Sequence, residues 1–475
     1  MGFKGALIWN FISQLGQNGV NFLSIIILAR ILTPADFGII GMVSIFIAFS
    51  QMLVDSEFGG ALLRKPDISR LDYSTLFVYN IIVSIILYAI LFSIAPLVAG
   101  FYDKPQLVEI IRVLSVTVVL HSFRVVQRVI VFRNMQFKQV AVVSIISGLI
   151  SLGTAIWMAL QGFGYWSLIW QQIVGITLSV VLLGIVNRYI PAIRFSYESF
   201  KYQFSFGIGL LGADTLRTIA NNINTNVIAK IMPIADVGYF VQSNRISNFA
   251  VSFVGSITDQ TVFPVLARLQ NKDEVQAKYM LFYQLSVALL SVMTVWIILL
   301  SRPIVLLLLG EQWIGACWMI AALSMSVLPN MIQMLCRNLL KIVAKTKKMF
   351  FLEIVKSVAV IAALVLSAYW GIYVIVWGFV IAQWIVAIYY VYATKGYLKI
   401  KFSTQMLVVA KNVLRCILIG VVDKGILFLF PQMNILVEIL LVTVVTTVLF
   451  AITMYMFREK EMIALAKNVI RFKHG

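Results

Sequence analysis

Residues 14–38 read QLGQNGVNFLSIIILARILTPADFG, and at an offset of 200 residues 214–238 read DTLRTIANNINTNVIAKIMPIADVG. In this register Ala29, Arg30, Ile31, Leu32, Ala35, Asp36 and Gly38 fall on Ala229, Lys230, Ile231, Met232, Ala235, Asp236 and Gly238. Each copy is an apolar helix with an Asn/Gln-rich stripe, closed by a cation, a proline and an Asp-x-Gly turn. A polar-striped helix repeated at the start of each half predicts two similar helix bundles facing each other across something polar, a common build of transporters.

Composition fixes the solvent. Of 475 residues 61% are hydrophobic and only 12% charged, with a mean hydropathy of +0.96, more apolar side chain than a water-soluble domain can bury. A membrane span takes about 20 apolar residues, so the chain accommodates roughly fourteen helices with short loops and no sizeable soluble domain. The apolar windows lie at 6–32, 37–62, 73–99, 107–131, 138–160, 164–187, 204–231, 237–264, 279–301, 315–341, 348–370, 372–394, 405–430 and 433–457. Pro329 breaks the tenth. The other prolines, Pro96 among them, are expected at helix ends or in loops, where a missing N–H and a fixed φ are tolerated. The expected fold class is an all-α polytopic membrane protein with a first lobe over 1–187, a linker over 188–203, a second lobe over 204–394, and two further helices with a basic tail over 395–475.

Every second connection is basic: Arg64, Lys65 and Arg70; Arg128, Arg133 and Lys138; Arg188, Arg194 and Lys201; Arg268, Lys272 and Lys278; Lys341 to Lys348; Lys395, Lys399 and Lys401; Arg458 to Lys473. The alternate connections are poor in cations, and Gly162–Tyr165 and Trp370–Tyr373 hold none. By the positive-inside rule both termini are cytoplasmic. The same alternation explains the +19 formal charge without a nucleic-acid partner. The first window is too long and too polar for a cleaved signal peptide and is expected to remain in the protein.

Enzymatic motifs are missing. Cys317, Cys336 and Cys416 sit singly in apolar windows and read as small core residues. His121 and His474 stand alone, so no metal set forms, and no GxSxG or P-loop occurs. Gly207-Ile-Gly209-Leu-Leu-Gly212 spells GxGxxG but follows no strand, so the glycines read as a helix-packing face rather than a dinucleotide loop.

The polar residues inside the apolar windows carry the functional signal. A charge at the bilayer centre costs about 2.5–3.5 kcal/mol even on the insertion scale, so such groups line a cavity or pair. Gln14, Gln17, Asn18 and Asn21 share a face of the first helix; Asp214, Arg217, Asn221 and Asn224 do so in the seventh. The eighth adds Gln242, Asn244, Arg245 and Asn248, the second Asp55 and Glu57, the fourth Glu109 and Arg112. Two readings stand: interhelical hydrogen bonds and ion pairs such as Asp214–Arg217 and Glu109–Arg112, or the lining of a hydrated cavity. The repeated stripe, and a first helix without acids, favour the cavity.

Leu32-Thr-Pro-Ala-Asp-Phe-Gly38, Val54-Asp-Ser-Glu-Phe-Gly59, Leu63-Arg-Lys-Pro-Asp67, Leu71-Asp-Tyr-Ser-Thr-Leu76, Val262-Phe-Pro-Val-Leu-Ala-Arg-Leu-Gln270 and Leu309-Gly-Glu-Gln-Trp313 resemble the polysaccharide transporter family. The likeness covers nearly the whole chain and is to its Wzx-type branch of colanic-acid and teichuronic-acid exporters, within the multidrug/oligosaccharidyl-lipid/polysaccharide superfamily. It implies two six-helix lobes related by a pseudo-twofold axis, plus two C-terminal helices. It also implies a flippase in the bacterial inner membrane. The substrate would be a polyprenyl-diphosphate-linked oligosaccharide carried by alternating access for O-antigen, capsule or exopolysaccharide synthesis, with a polysaccharide polymerase and its chain-length machinery as neighbours. No cofactor is implied beyond a proton or sodium gradient. Relatives hold the diphosphate with cavity arginines, one in the eighth helix; Arg245 matches it, with Arg217 and Arg112 as further candidates. Relatives with arginines in the first helix are not matched, since Gln14, Gln17 and Asn18 occupy that face. The competing readings are a cation-coupled exporter of small molecules on the same fold, a membrane polymerase or ligase, which would need long external loops, and a purely structural protein.

Overall fold

The structure, a computed structural model, describes residues 3–54, 58–65, 67–189, 191–258, 263, 266, 269, 271–343, 345–429 and 433–456. The C-terminal basic tail, whose residues 458–475 the sequence predicts as an amphipathic helix, lies outside these, as do Asp55, Glu57 and most of the Val262–Gln270 motif. The side chains of Asp214, Arg217, Asn221 and Asn224 also lie outside the described set.

The chain is helical throughout the described residues: α1 Phe3–Ile31, α2 Pro34–Val54, α3 Phe58–Arg64, α4 Arg70–Tyr102, α5 Leu107–Leu114, α6 Val116–Arg133, α7 Phe137–Leu160, α8 Trp166–Asn187, α9 Tyr197–Ile231 and α10 Ile234–Ile257. There follow α11 Lys272–Leu299, α12 Cys317–Ser324, α13 Val327–Ile342, α14 Thr346–Ser367, α15 Ile372–Thr394, α16 Phe402–Leu429 and α17 Ile435–Met456. Local chemistry sets several starts. Thr33 caps α2 by exchanging hydrogen bonds with Asp36, with Pro34 at the first helical position. Ser69 and Asp72 form a capping box on α4.

Ten of these helices are long and apolar enough to cross a membrane, or eleven if the pair bent by 41° around Ser324 and Val327 is one span. The windows 107–131, 204–231 and 237–264 are not among them. The first is broken at Ser115 into α5 and α6, and α9 and α10 are helices whose polar stripes lower their hydropathy. One expectation is corrected: Pro96 lies inside α4, which runs on through it to Tyr102.

The helices form two compact units, Met1–Val241 with Leu364–Ile372, and Gln242–Ala363 with Tyr373–Gly475. In the first, α1 packs along α7 and α7 along α8, while α9 packs on α2, α3 and α4. Small residues allow the close approaches: a Cβ at Gly148 would lie 3.0 Å from Val20 Cγ1, and one at Gly207 would enter the Phe58 ring. The GxGxxG stretch therefore lies within α9, with Gly207 at a helix contact. In the second unit α11 packs on α13 and α16 around buried Tyr279, Tyr283, Met331, Leu335, Leu339 and Tyr390.

Candidate functional site

In the first unit the polar stripe of α1 is accessible: Gln17 and Asn21 are exposed, and Gln14 and Asn18 are half-buried beside them. One turn further Ser24 accepts a 2.7 Å bond from Gln171 Nε2 on α8. The described amides of α9 are otherwise engaged. Asn222 and Asn226 bond the carbonyls one turn back, and Asn226 Oδ1 accepts from the Tyr102 hydroxyl at 3.0 Å. Lys230 donates to the Phe101 carbonyl, lies 4.7 Å from that ring's centroid and sits 3.6 Å from Asp103. These contacts tie the end of α9 to the end of α4.

Both repeat turns belong to this unit, and they meet. A Cβ at Gly38 would strike the Ile234 carbonyl oxygen, and a Cβ at Gly238 would strike the Pro34 carbonyl oxygen. The starts of α2 and α10 thus cross backbone to backbone, and only residues without a side chain fit there.

Arg112 has a partner other than the one its spacing suggests. Its Nε donates to the Phe92 carbonyl at 3.5 Å, and its guanidinium lies 4.1 Å from the Phe92 ring centroid. Pro96 has no N–H, so the carbonyl four residues back is released from the helical ladder. Arg112 answers it from α5, a structural task in a helix that lies in lipid.

The second unit holds the rest of α10. One face is pinned by hydroxyls: Ser243 Oγ donates to the Ala316 carbonyl, and Ser247 Oγ meets both the Ile320 carbonyl and Ser324 Oγ. Gln242 is fully buried. On the opposite face Arg245, Phe249 and Ser252 are exposed, with Asn244 and Asn248 half-buried alongside. The amides are chained: Asn248 Nδ2 donates to Asn244 Oδ1 at 2.6 Å, and Asn330 Nδ2 on α13 donates to Asn248 Oδ1 at 3.1 Å. Arg245, exposed as a residue but with protein close around its guanidinium, therefore stands beside a row of amides whose orientation α13 fixes. A guanidinium fork recognises phosphate oxygens, and amides offer sugar hydroxyls both donors and acceptors.

Further buried polar groups lie on helices away from the repeated stripe. Arg337 on α13 pairs with Glu353 on α14 at 3.0 Å, with Lys356 and Tyr390 acting on the same carboxylate. On α16 Arg415 is fully buried, donating to Asn412 Oδ1 at 3.1 Å and lying 5.7 Å from the Phe450 ring centroid; Asp423 accepts from Thr446 Oγ1 at 2.7 Å. In the first unit His121 Nδ1 meets Arg124 at 3.1 Å. The readable signal for each was an ionisable residue inside an apolar window, at 315–341, 348–370, 405–430 and 107–131. Outside the spans, Lys399 donates to Asp273 at 2.9 Å, and that bond raises the ammonium pKa above its ordinary value.

Such an assembly of polar-striped helices defines an all-helical, multi-pass membrane protein of a transporter fold. A solved lipid II flippase, MurJ, in an inward closed conformation superposes with a TM-score of 0.78, covering 96% of this chain and 100% of that one at 12% identity. An inward-facing multidrug resistance MATE family transporter gives 0.62, covering 85% and 98% at 16% identity. The chain belongs to the polysaccharide biosynthesis protein family, which matches residues 27–318. It is 27% identical over 319 residues to the succinoglycan biosynthesis transport protein ExoT of Rhizobium meliloti (strain 1021), over 67% of this chain and 65% of that protein. It spans 63–65% of the length of three such curated relatives. The family is one of membrane transport proteins, not of enzymes.

Proposed function

We propose that this protein flips a polyprenyl-diphosphate-linked oligosaccharide from the cytoplasmic to the outer leaflet of a bacterial inner membrane, by alternating access, for cell-surface polysaccharide synthesis. The carrying observation is Arg245 on the exposed face of α10, beside the Asn244–Asn248–Asn330 chain. Acyl chains do not cover a face that presents a guanidinium, amides and Ser252; water and an anionic, hydroxyl-rich ligand do. The diphosphate is assigned to Arg245 and the sugars to the amides beside it; in the first unit Gln14, Gln17, Asn18 and Asn21 give α1 amides of its own for sugar hydroxyls.

The meeting of the two repeat turns supports lobes repeated in parallel rather than inverted, while the apolar windows and the loop charges support about fourteen spans with both termini in the cytoplasm. The ExoT relative, a succinoglycan biosynthesis transport protein, agrees with this reading. Depleting the protein should make lipid-linked repeat units accumulate on the inner leaflet, as measured by protection from an external glycan-modifying enzyme. Normal outer-leaflet exposure after depletion would rule out the flippase, and sensitivity to drugs instead would favour a small-molecule exporter.

A further inference from the structure

Arg302 follows α11 by one turn, and Glu438 lies in the first turn of α17. With Leu306, Leu427, Met433 and Ile435 they line a partly open cavity of about 390 Å³. Their charges act on each other, yet no ion pair joins them among the described residues. A fixed cation and a fixed anion that face one cavity without closing on each other form a dipolar site. A ligand that is only an anion meets Glu438, and one that is only a cation meets Arg302. A zwitterion with a short phosphate-to-nitrogen spacing satisfies both.

The walls narrow the choice. Leu306, Leu427, Met433 and Ile435 suit acyl chains entering from the bilayer, and the volume holds a small headgroup. An arginine fork suits phosphate. A carboxylate favours a primary ammonium, which donates up to three hydrogen bonds, over a trimethylated one, which donates none. The cavity lies where α11 and α16 end and α17 begins, the end that the charge pattern assigns to the outer face.

We propose that this cavity docks one glycerophospholipid with a phosphoethanolamine headgroup, its phosphate on Arg302 and its ammonium on Glu438. The site lies apart from Arg245 and does not depend on what the protein transports.

The test is native mass spectrometry of the delipidated full chain, titrated with phosphatidylethanolamine, phosphatidylcholine and phosphatidylglycerol of matched acyl chains. The wild type should retain one phosphatidylethanolamine per chain with roughly tenfold preference, the scale of one charge-assisted hydrogen bond. Arg302→Ala should weaken all three lipids. Glu438→Gln should keep phosphate binding but let phosphatidylglycerol bind as well as phosphatidylethanolamine. Equal retention of the three lipids by the wild type overturns the proposal without recourse to any variant, as does a preference for phosphatidylglycerol.

Discussion

Arg112 donates to the Phe92 carbonyl, the acceptor that Pro96 leaves without a partner in α4. A long transmembrane helix keeps a proline in its body because a side chain from the next helix repairs the ladder. Arg112→Leu should therefore cost about 1–2 kcal/mol of stability in the wild type. In a Pro96→Ala background a helical amide regains the carbonyl, and the same substitution should cost less than half as much. Thermal unfolding of the four proteins in detergent measures the cycle, and equal costs in the two backgrounds would show that Arg112 acts elsewhere.

The Gly38–Gly238 crossing admits no Cβ on either side. Gly38→Ala and Gly238→Ala should each destabilise the protein by about 1–3 kcal/mol, the scale of overpacking. Since both distort one contact, the double variant should lose less than the sum. Strict additivity in thermal melts would place the two glycines in separate contacts.

Arg245→Ala should lower export at least about tenfold, the loss of one charge-assisted contact, at normal membrane levels of protein. Arg245→Lys keeps the charge, loses the fork and should fall between. The readout is surface polysaccharide restored to a null strain. Full complementation by Arg245→Ala moves the diphosphate to another cation.

The segment between α8 and α9, together with the first turn of α9, is fastened to other helices of the first unit. Gln127 donates to the Tyr189 carbonyl at 2.8 Å, the Ser196 amide to Thr75 Oγ1 at 3.1 Å, and Ser199 Oγ to Asp72 at 2.6 Å. Asp72 also accepts from Lys65 at 2.8 Å. Asp72→Ala should release the segment and speed tryptic cleavage at Arg188 and Arg194 roughly tenfold, the effect of ~1.4 kcal/mol less cost of local opening. Unchanged cleavage would mean that the remaining bonds hold it without Asp72.

Reporters fused after Lys401 should read cytoplasmic, and those inserted near Gly162 or Trp370 should read external. A cytoplasmic signal at Trp370 would change by one the number of spans that precede α15.

The sequence by itself determined the solvent, the helices and the repeat. Hydropathy is a local sum, and helix length, loop charge and the Asp-x-Gly turns are all written in consecutive residues, so α2, α4, α7, α8 and α11 to α17 follow from it. The face of α10 that carries Arg245 was legible for the same reason, because helical spacing decides which residues share a side. Tertiary structure decided which partner each polar residue takes. Arg112 answers a carbonyl freed by a proline 16 residues earlier in the chain, a demand that sequence spacing cannot display. Glu353 finds Arg337, Asn248 finds Asn330, and Asp423 finds Thr446 across helix interfaces. Inside a bilayer an unmet donor or acceptor is costly, so each polar group takes the partner that packing brings within reach, and packing is a property of the assembled helices rather than of any one of them.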